Sequence, residues 1–369
     1  MIRVLHVLQG IDAGGAETYV MNLYREIDRN VIQFDFAVQK RGGFYEEEIK
    51  ELGGHIYILP QFKFVNSPAF EKELCKILRD NTDIQIVHSQ NNSVGAYALR
   101  AAKRANRITV AHSHTNKSHI INWKDCIYNS FAPYTRYLFR KYADYRFACS
   151  KDAGYWQYGK RAFFEVKENS IRLGRFRYDP DEREKIRESY NIKDKYVLGH
   201  VGRFEKVKNH MYLFEIFAAF HRDVPSSALL LVGEGRQKER IIREIGDKGI
   251  SDSILVLDNK KNIEKLYQAI DVFVMPSLYE GFPMTLVEAQ ASGLPCVVSD
   301  RISRDVDLTD LVVHLPLEKN VSHWCDAIKD ALKKQRSDIQ DGALLDYDSM
   351  KTAVNMQQFY LGIVNEVQK

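Results

Sequence analysis

The stretch DVFVMPSLYEGFPMTLVEAQASGLPCVVSD (residues 271–300) decides the fold. DVFVMPS and PCVVSD are short apolar runs, each bounded by Pro and Ser or Asp, and both read as buried strands. Between them Thr285 to Ser292 reads as a helix, and Gly293 stands where a left-handed residue stops one. Strand, loop, helix and strand in this order make a βαβ unit with its two strands parallel in one sheet.

The same alternation extends in both directions. IRVLHVL (2–8) is a strand without helical periodicity, GIDAGG a glycine turn, and AETYVMNLYREI a helix whose apolar face is Tyr19, Val20, Leu23 and Ile27. QFDFAV, HIYIL, IQIVHS and ITVAHSH continue the cycle to residue 114. A second cycle opens after the charged segment RYDPDEREKIRESYNI with YVLGHVGRF and SALLLVGEG, and closes on LVVHLP. The expected fold class is α/β: two Rossmann-like domains with doubly wound parallel sheets, facing each other across a cleft. Residues 1–175 form the first domain and 176–350 the second, with the hinge in 171–192. A C-terminal helix, 351–369, is expected to pack back on the first domain.

Composition suits that plan. The chain has 369 residues, 45% hydrophobic and 28% charged, enough for two cores. No apolar run reaches the roughly 18 to 20 residues that span a bilayer, and the opening MIRVLHVLQGIDAGG is too short and polar for a signal peptide, so a cytoplasmic location is expected. The five cysteines, Cys75, Cys126, Cys149, Cys296 and Cys325, lack CxxC spacing and indicate neither a disulfide framework nor a zinc site. Residues 1–172 hold 25 Lys and Arg against 18 Asp and Glu, whereas the rest holds 28 against 31. The basic half points to an anionic partner, such as a membrane surface or a phosphorylated acceptor. Nothing matches a nucleic-acid-binding signature, so no nucleic acid is expected.

In an open parallel sheet, functional residues sit on the loops that leave the carboxyl ends of strands. Three such loops carry chemistry. In the first, Gly14 and Gly15 open a helix, where bare backbone N–H groups and the helix dipole suit a phosphate; a tight turn is the other reading. The spacing is not GxGxxG, which argues against a dehydrogenase. The second, GRFEKVKNH (202–210), places Arg203 and Lys208 where two cations could neutralise a diphosphate, a solvated basic loop being the alternative. The third lies inside the opening stretch. Thr285-x-x-Glu288 is a capping box, which gives Glu288 a local role. Glu280 has none, and beside the loop Phe282, Pro283, Met284 and Thr285, whose backbone N–H groups other than at proline point where an anion would lie, it suits hydrogen bonds from the neutral hydroxyls of a sugar.

The E-x7-E pair in YEGFPMTLVEAQASGLPCVVSD, with GRFEKVKN, LLLVGEG and GGAET, resembles the family 4 retaining glycosyltransferases of GT-B fold, close to bacterial exopolysaccharide and capsule enzymes. The likeness covers nearly the whole chain. It implies that Arg203 and Lys208 grip the donor diphosphate and that Glu288 hydrogen-bonds the ribose. Glu280 and the backbone of Phe282, Pro283 and Met284 would hold the donor sugar, and Gly14 and Gly15 would close over the phosphates from the other domain. His112 of ITVAHSH is implied to contact the donor sugar, with His114 the second choice. The implied reaction moves a sugar, with retention at its anomeric carbon, from a nucleotide-sugar, a UDP-sugar above all, to a saccharide or lipid-linked acceptor in surface polysaccharide synthesis. No cofactor or metal is expected, since no DxD stands in a suitable loop.

Two segments depart from the family pattern. VLDNKKNI, with Asp258 and Lys260, stands where relatives commonly place a Gly in a loop that reads the nucleotide base, and ENSIRLGRF, with Ser170 and Arg172, stands where a linker often carries an aspartate. These leave open a catalytically impaired scaffold subunit, and a nucleotide-sugar epimerase of the same fold is a further alternative. Residues 115–152 are rich in aromatic and basic side chains, including Trp123, Lys124, Tyr134, Arg136, Tyr137, Phe139, Arg140 and Lys141. They read equally as a surface for anionic lipid, placing the protein on the inner face of the cell membrane, or as an ordinary buried helix.

Overall fold

The computed structural model describes residues 1–12, 14–63, 66–114, 131–247, 249–258, 262–280, 282–339 and 342–367. The chain divides into two compact units, Met1–Ile171 with Ser349–Lys369, and Arg172–Asp348.

The first unit is built on a seven-stranded sheet of order β3-β2-β1-β4-β5-β6-β7. Its strands are β1 (Ile2–Leu8), β2 (Ile32–Val38), β3 (Ile56–Ile58), β4 (Ile84–Ser89), β5 (Ile108–Ser113), β6 (Tyr145–Ala148) and β7 (Glu165–Val166). The second unit holds a six-stranded sheet of order β10-β9-β8-β11-β12-β13. These are β8 (Tyr196–Val201), β9 (Ser227–Val232), β10 (Ile254–Leu257), β11 (Val272–Met275), β12 (Cys296–Ser299) and β13 (Val312–Leu315). The strand pairings are parallel in both. Strand order reverses between β1 and β4 and again between β8 and β11. At such a point the loops leaving the two strands part to opposite faces and leave a crevice at the carboxyl ends.

A parallel sheet is covered on both faces, so its strands read as unbroken apolar runs. Along β1, Val4 and Leu8 join one core with Tyr24, Phe34 and Phe36, while Leu5 and Val7 join the other with Phe70, Leu74 and Leu99. The C-terminal helix Ser349–Val367 supplies Ala353, Met356, Tyr360, Ile363 and Val364 to the first of these cores. The Ser349 N–H donates to the Ile171 carbonyl at 2.8 Å, so the points where the chain leaves this unit and re-enters it lie side by side. In the second unit Leu198, Leu229, Leu231, Val272 and Val274 pack against Phe214, Phe217 and Trp324.

Two local readings change. β6 lies inside the aromatic and basic stretch that reads as a helix or a lipid-facing surface. Its residues Phe147 and Ala148 are buried, and its pairing with β5 shows only when the sheet is assembled. The Thr285–Glu288 capping box is not formed. The helix runs Met284–Ala291 with Pro283 as its N-cap and no side-chain cap bond, because proline has no acceptor to offer, and Thr285 Oγ1 has no partner. The stop at Gly293 holds: its φ is +67°, and a Cβ there would fall 2.0 Å from the Ser337 carbonyl oxygen. Of the cysteines, Cys75, Cys149, Cys296 and Cys325 are free thiols, and Cys126 lies outside the described residues.

Candidate functional site

The switch point of the second sheet gathers the loop after β8 and the loop after β11. They are laced together by the Leu278 N–H, which donates to the Val207 carbonyl at 2.8 Å, and by Asn209 Nδ2, which donates to the Pro276 carbonyl at 3.0 Å. Asn209 takes a left-handed backbone, φ 57°, to turn the first loop into the helix His210–Asp223. Gly202 makes room for the Lys208 stem, since a Cβ there would stand 3.0 Å from Lys208 Cε.

This lacing brings Lys208 to Glu280. The ammonium lies 2.8 Å from Glu280 Oε1, with the two side chains 12% and 18% exposed, though it is not aligned on that oxygen as a hydrogen-bond donor. The Glu280 backbone is held by a parallel bridge to Ile302. Arg203, on the same loop as Lys208, is exposed. One turn into the helix Met284–Ala291, Glu288 Oε2 accepts a hydrogen bond of 2.6 Å from the hydroxyl of the fully buried Tyr267. Burial pushes the Glu288 carboxyl up to about 7; Glu264 adds to the rise, while the Tyr267 hydroxyl and Lys208 oppose it. Phe282 stacks on Tyr347 with ring centroids 5.1 Å apart, which braces the segment containing Pro283 and Met284.

In the first unit, Gly14 is the N-cap of the twelve-residue helix Gly15–Glu26, and a Cβ on Gly15 would meet open space. His112 lies on β5, 1% exposed, packed between the rings of His88 and His114. Burial first, then the neighbouring imidazoles, hold it well below the usual histidine range, so it is uncharged at neutral pH. His114 lies just past the strand and is less covered; burial pushes it down to about 4.

The structure thus brings Lys208, Glu280 and Glu288 to one switch point with Phe282, Pro283, Met284 and Thr285, and Gly14, Gly15 and His112 to strand ends of the first unit. Sequence reasoning missed Tyr267, whose partner is distant in sequence. It also passed over His6, His88 and Gln90, although IRVLHVL and IQIVHSQ each end a buried strand on a polar ring as ITVAHSH does. Of the departing segments, Asp258 pairs with Lys238, while Lys260 lies outside the described residues. Ser170 is buried, and its carbonyl accepts from Asn22 Nδ2 at 2.7 Å. Trp123 and Lys124 lie outside the described residues. On the helix Ala132–Tyr142, Phe139 is buried, whereas Tyr134 and Tyr137 are 45% and 50% exposed. Among the described residues no helix is long and apolar enough to cross a membrane, and no three His, Cys, Asp or Glu side chains gather as a metal site would.

Comparison with known proteins agrees with this layout. The family model "Glycosyltransferase Family 4" matches residues 13–155, and "Glycosyl transferases group 1" matches residues 182–341. The chain is 35% identical over 371 residues to "Putative glycosyltransferase EpsF" of Bacillus subtilis (strain 168), covering 97% of this chain and 96% of that one. A shorter match, 33% over 111 residues and 29% of each chain, is to the UDP-Gal:alpha-D-GlcNAc-diphosphoundecaprenol alpha-1,3-galactosyltransferase of Escherichia coli. The fold matches Anabaena Alr3699/HepE in complex with UDP and glucose with a TM-score of 0.75 at 18% identity, over 99% of this chain and all of that one. The two parallel-sheet units are those of the GT-B fold.

Proposed function

The chain belongs to the group 1, family 4 glycosyltransferases, and from that premise we propose that it moves a sugar from a UDP-sugar to a lipid-linked saccharide, with retention at the anomeric carbon. The observation that carries this reading is the meeting of Lys208, Glu280 and Glu288 at the switch point of the second sheet. In the resting protein Lys208 neutralises Glu280. A bound diphosphate would draw the ammonium to itself, joined by the exposed Arg203, and free Glu280 to accept hydrogen bonds from sugar hydroxyls. Glu288 and its Tyr267 partner are suited to the ribose. Gly15 opens its helix with a backbone N–H suited to phosphate, whereas the Gly14 N–H already donates to the Asp12 carbonyl at 2.8 Å and would have to be released, and His112 is a neutral partner for a sugar hydroxyl.

Chemistry then needs the leaving diphosphate stabilised as the glycosidic bond breaks. Two protein cations do this in place of a divalent ion, and the diphosphate itself takes the proton of the acceptor hydroxyl on the face it leaves, which retains the anomeric configuration. The E. coli relative's lipid-diphosphate acceptor and the UDP held by the Anabaena structure support the choice of partners. Nucleotides test it first: UDP is expected to raise the melting temperature, since a ligand at a hundred times its Kd adds about 2.7 kcal/mol to native stability. ADP and GDP should do so less. No shift with UDP or any UDP-sugar would overturn the donor reading, and a product with inverted anomeric configuration would overturn retention.

We also place this reading at a membrane. The exposed Tyr134 and Tyr137 share their helix with Arg140 and Lys141, and aromatic rings beside cations suit an anionic lipid interface. Co-sedimentation with vesicles containing phosphatidylglycerol should exceed that with phosphatidylcholine alone by severalfold and fall with added salt. Equal binding to both would remove the membrane role.

A further inference from the structure

On the face of the first sheet that carries the C-terminal helix, β1, β4 and β5 each bring a buried histidine near their carboxyl ends: His6, His88 and His112, at most 1% exposed. The imidazoles run in a row with His114, at centroid separations of 5.2 Å from His6 to His88, 5.7 Å from His88 to His112, and 4.2 Å from His112 to His114. Gln90, 4% exposed, closes the row into a ring. Its Oε1 lies 2.7 Å from His114 Nε2, and its Nε2 lies 3.0 Å from His6 Nδ1. The Gln90 backbone N–H donates to the Val7 carbonyl, which continues the β1–β4 ladder and fixes where the amide can reach. Behind the ring, His88 Nδ1 is tied at 2.6 Å to the Tyr360 hydroxyl of the C-terminal helix.

Every ring here is uncharged at neutral pH, since burial pushes His6 down to about 3 and His114 to about 4. A neutral imidazole carries one proton, and its partner decides on which nitrogen. The Gln90 carbonyl oxygen accepts from His114 Nε2, so the proton sits there and Nδ1 keeps a bare lone pair. Asn169 faces His114 on its other side, and its Oδ1 would favour the opposite tautomer, but it makes no aligned hydrogen bond with Nδ1. His114 Nδ1 and the Tyr19 hydroxyl are buried without an aligned partner, as are the nitrogens of His112, whose ring also faces the Lys167 backbone, and the Tyr19 ring lies 5.0 Å from His112 and 5.3 Å from His114. Buried polar atoms left unpaired together call for a polar ligand. Uncharged donors and acceptors with no free cation among them suit hydroxyl groups rather than phosphate or carboxylate.

We infer that Gln90 is a positioning residue: it locks His114 in the tautomer whose Nδ1 accepts a hydrogen bond from a hydroxyl of an uncharged sugar, with Tyr19 and His112 completing a hydroxyl-binding site. This rests on the sugar-transfer reading only for the identity of the ligand. The test is imidazole nitrogen NMR on the full-length protein, with the His114 signal assigned by its loss in His114→Asn, applied to wild type, Gln90→Leu and Gln90→Glu. The wild type is expected to show Nε2–H at His114. Gln90→Glu, which still accepts that bond, should keep it, and Gln90→Leu should lose it.

In turnover assays Gln90→Leu should lower kcat about tenfold to a hundredfold while the UDP-induced thermal shift stays at the wild-type size, and Gln90→Glu should recover most of the loss. A purely structural glutamine would cost stability without moving the tautomer. An Nδ1–H signal in wild type, an unchanged tautomer in Gln90→Leu, or full kcat in Gln90→Leu would overturn the inference. If the wild type transfers no sugar, the proposed function fails and the tautomer result alone decides this one.

Discussion

Replacing Lys208 by alanine is expected to lower kcat by about a thousandfold, the scale set by removing one preorganised charge from a departing oxyanion. The position explains the size. The ammonium is fixed by a loop laced to its neighbour, with its stem in the space that Gly202 leaves, and is largely shielded from water. Removing it also strands Glu280, whose carboxylate would then face the donor diphosphate without its counter-ion. Lys208→Arg should recover little, because a planar fork does not fit where a Cβ on Gly202 would already meet the lysine stem at 3.0 Å. The double variant Lys208→Ala with Glu280→Gln should lose less than the two single losses multiplied together, as residues in direct contact do. Steady-state kinetics with a saturating donor decides it: a kcat within threefold of wild type would sink the assignment of Lys208 to the leaving group.

Glu288→Gln should make the empty protein more stable and its nucleotide affinity worse. The carboxyl titrates near 7 when folded, against an ordinary value of about 4.3 when unfolded. The folded state therefore binds the extra proton between those values, and this residue subtracts stability as pH rises from about 4 to about 7. Above that window the cost reaches roughly 3 to 4 kcal/mol, less whatever its partial contact with solvent restores. Glutamine carries no such cost, so its advantage over wild type in urea denaturation should be small at pH 4 and largest at pH 8. Binding runs the other way. A ribose hydroxyl needs the carboxylate as acceptor, so UDP affinity of the wild type should rise with pH between 6 and 8. The variant should bind ten to a hundred times more weakly with a flat profile, the scale of a hydrogen bond to a charged group. A pH-independent wild-type affinity, or a variant that binds UDP as well as wild type, would refute the role.

How far the sequence goes can be judged from these residues. β1 and β4 begin and end where IRVLHVL and IQIVHS do, because strands buried on both faces are unbroken apolar runs. The spacing of Glu280 and Glu288 is likewise local, a loop and one helical turn. The pairing of Lys208 with Glu280 is not. It exists because β8 and β11 are neighbours at a switch point, and no feature near Lys208 names its partner. Tyr267 is hidden for the same reason, as an apolar-face residue of its own helix whose hydroxyl meets Glu288 only once the helices pack. The capping box misled because Thr285 matches its pattern while Pro283 already occupies the cap. β6 was hidden because Tyr145 and Arg146 stand together ahead of the buried Phe147 and Ala148, so its four residues show no alternation and continue the aromatic and basic composition of the preceding helix.

The side-by-side crossing of Ile171 and Ser349 has a consequence for synthesis on the ribosome. Domains fold as they emerge, ordinarily in the order of the chain. Here the order inverts. The segment 172–348 is complete while the unit begun before it still lacks Met356, Ile363 and Tyr360, the anchor for His88, all of which lie within Ser349–Lys369. The half made first therefore waits with an apolar groove open until residues 349–367 have been made, and the guest finishes folding before its host.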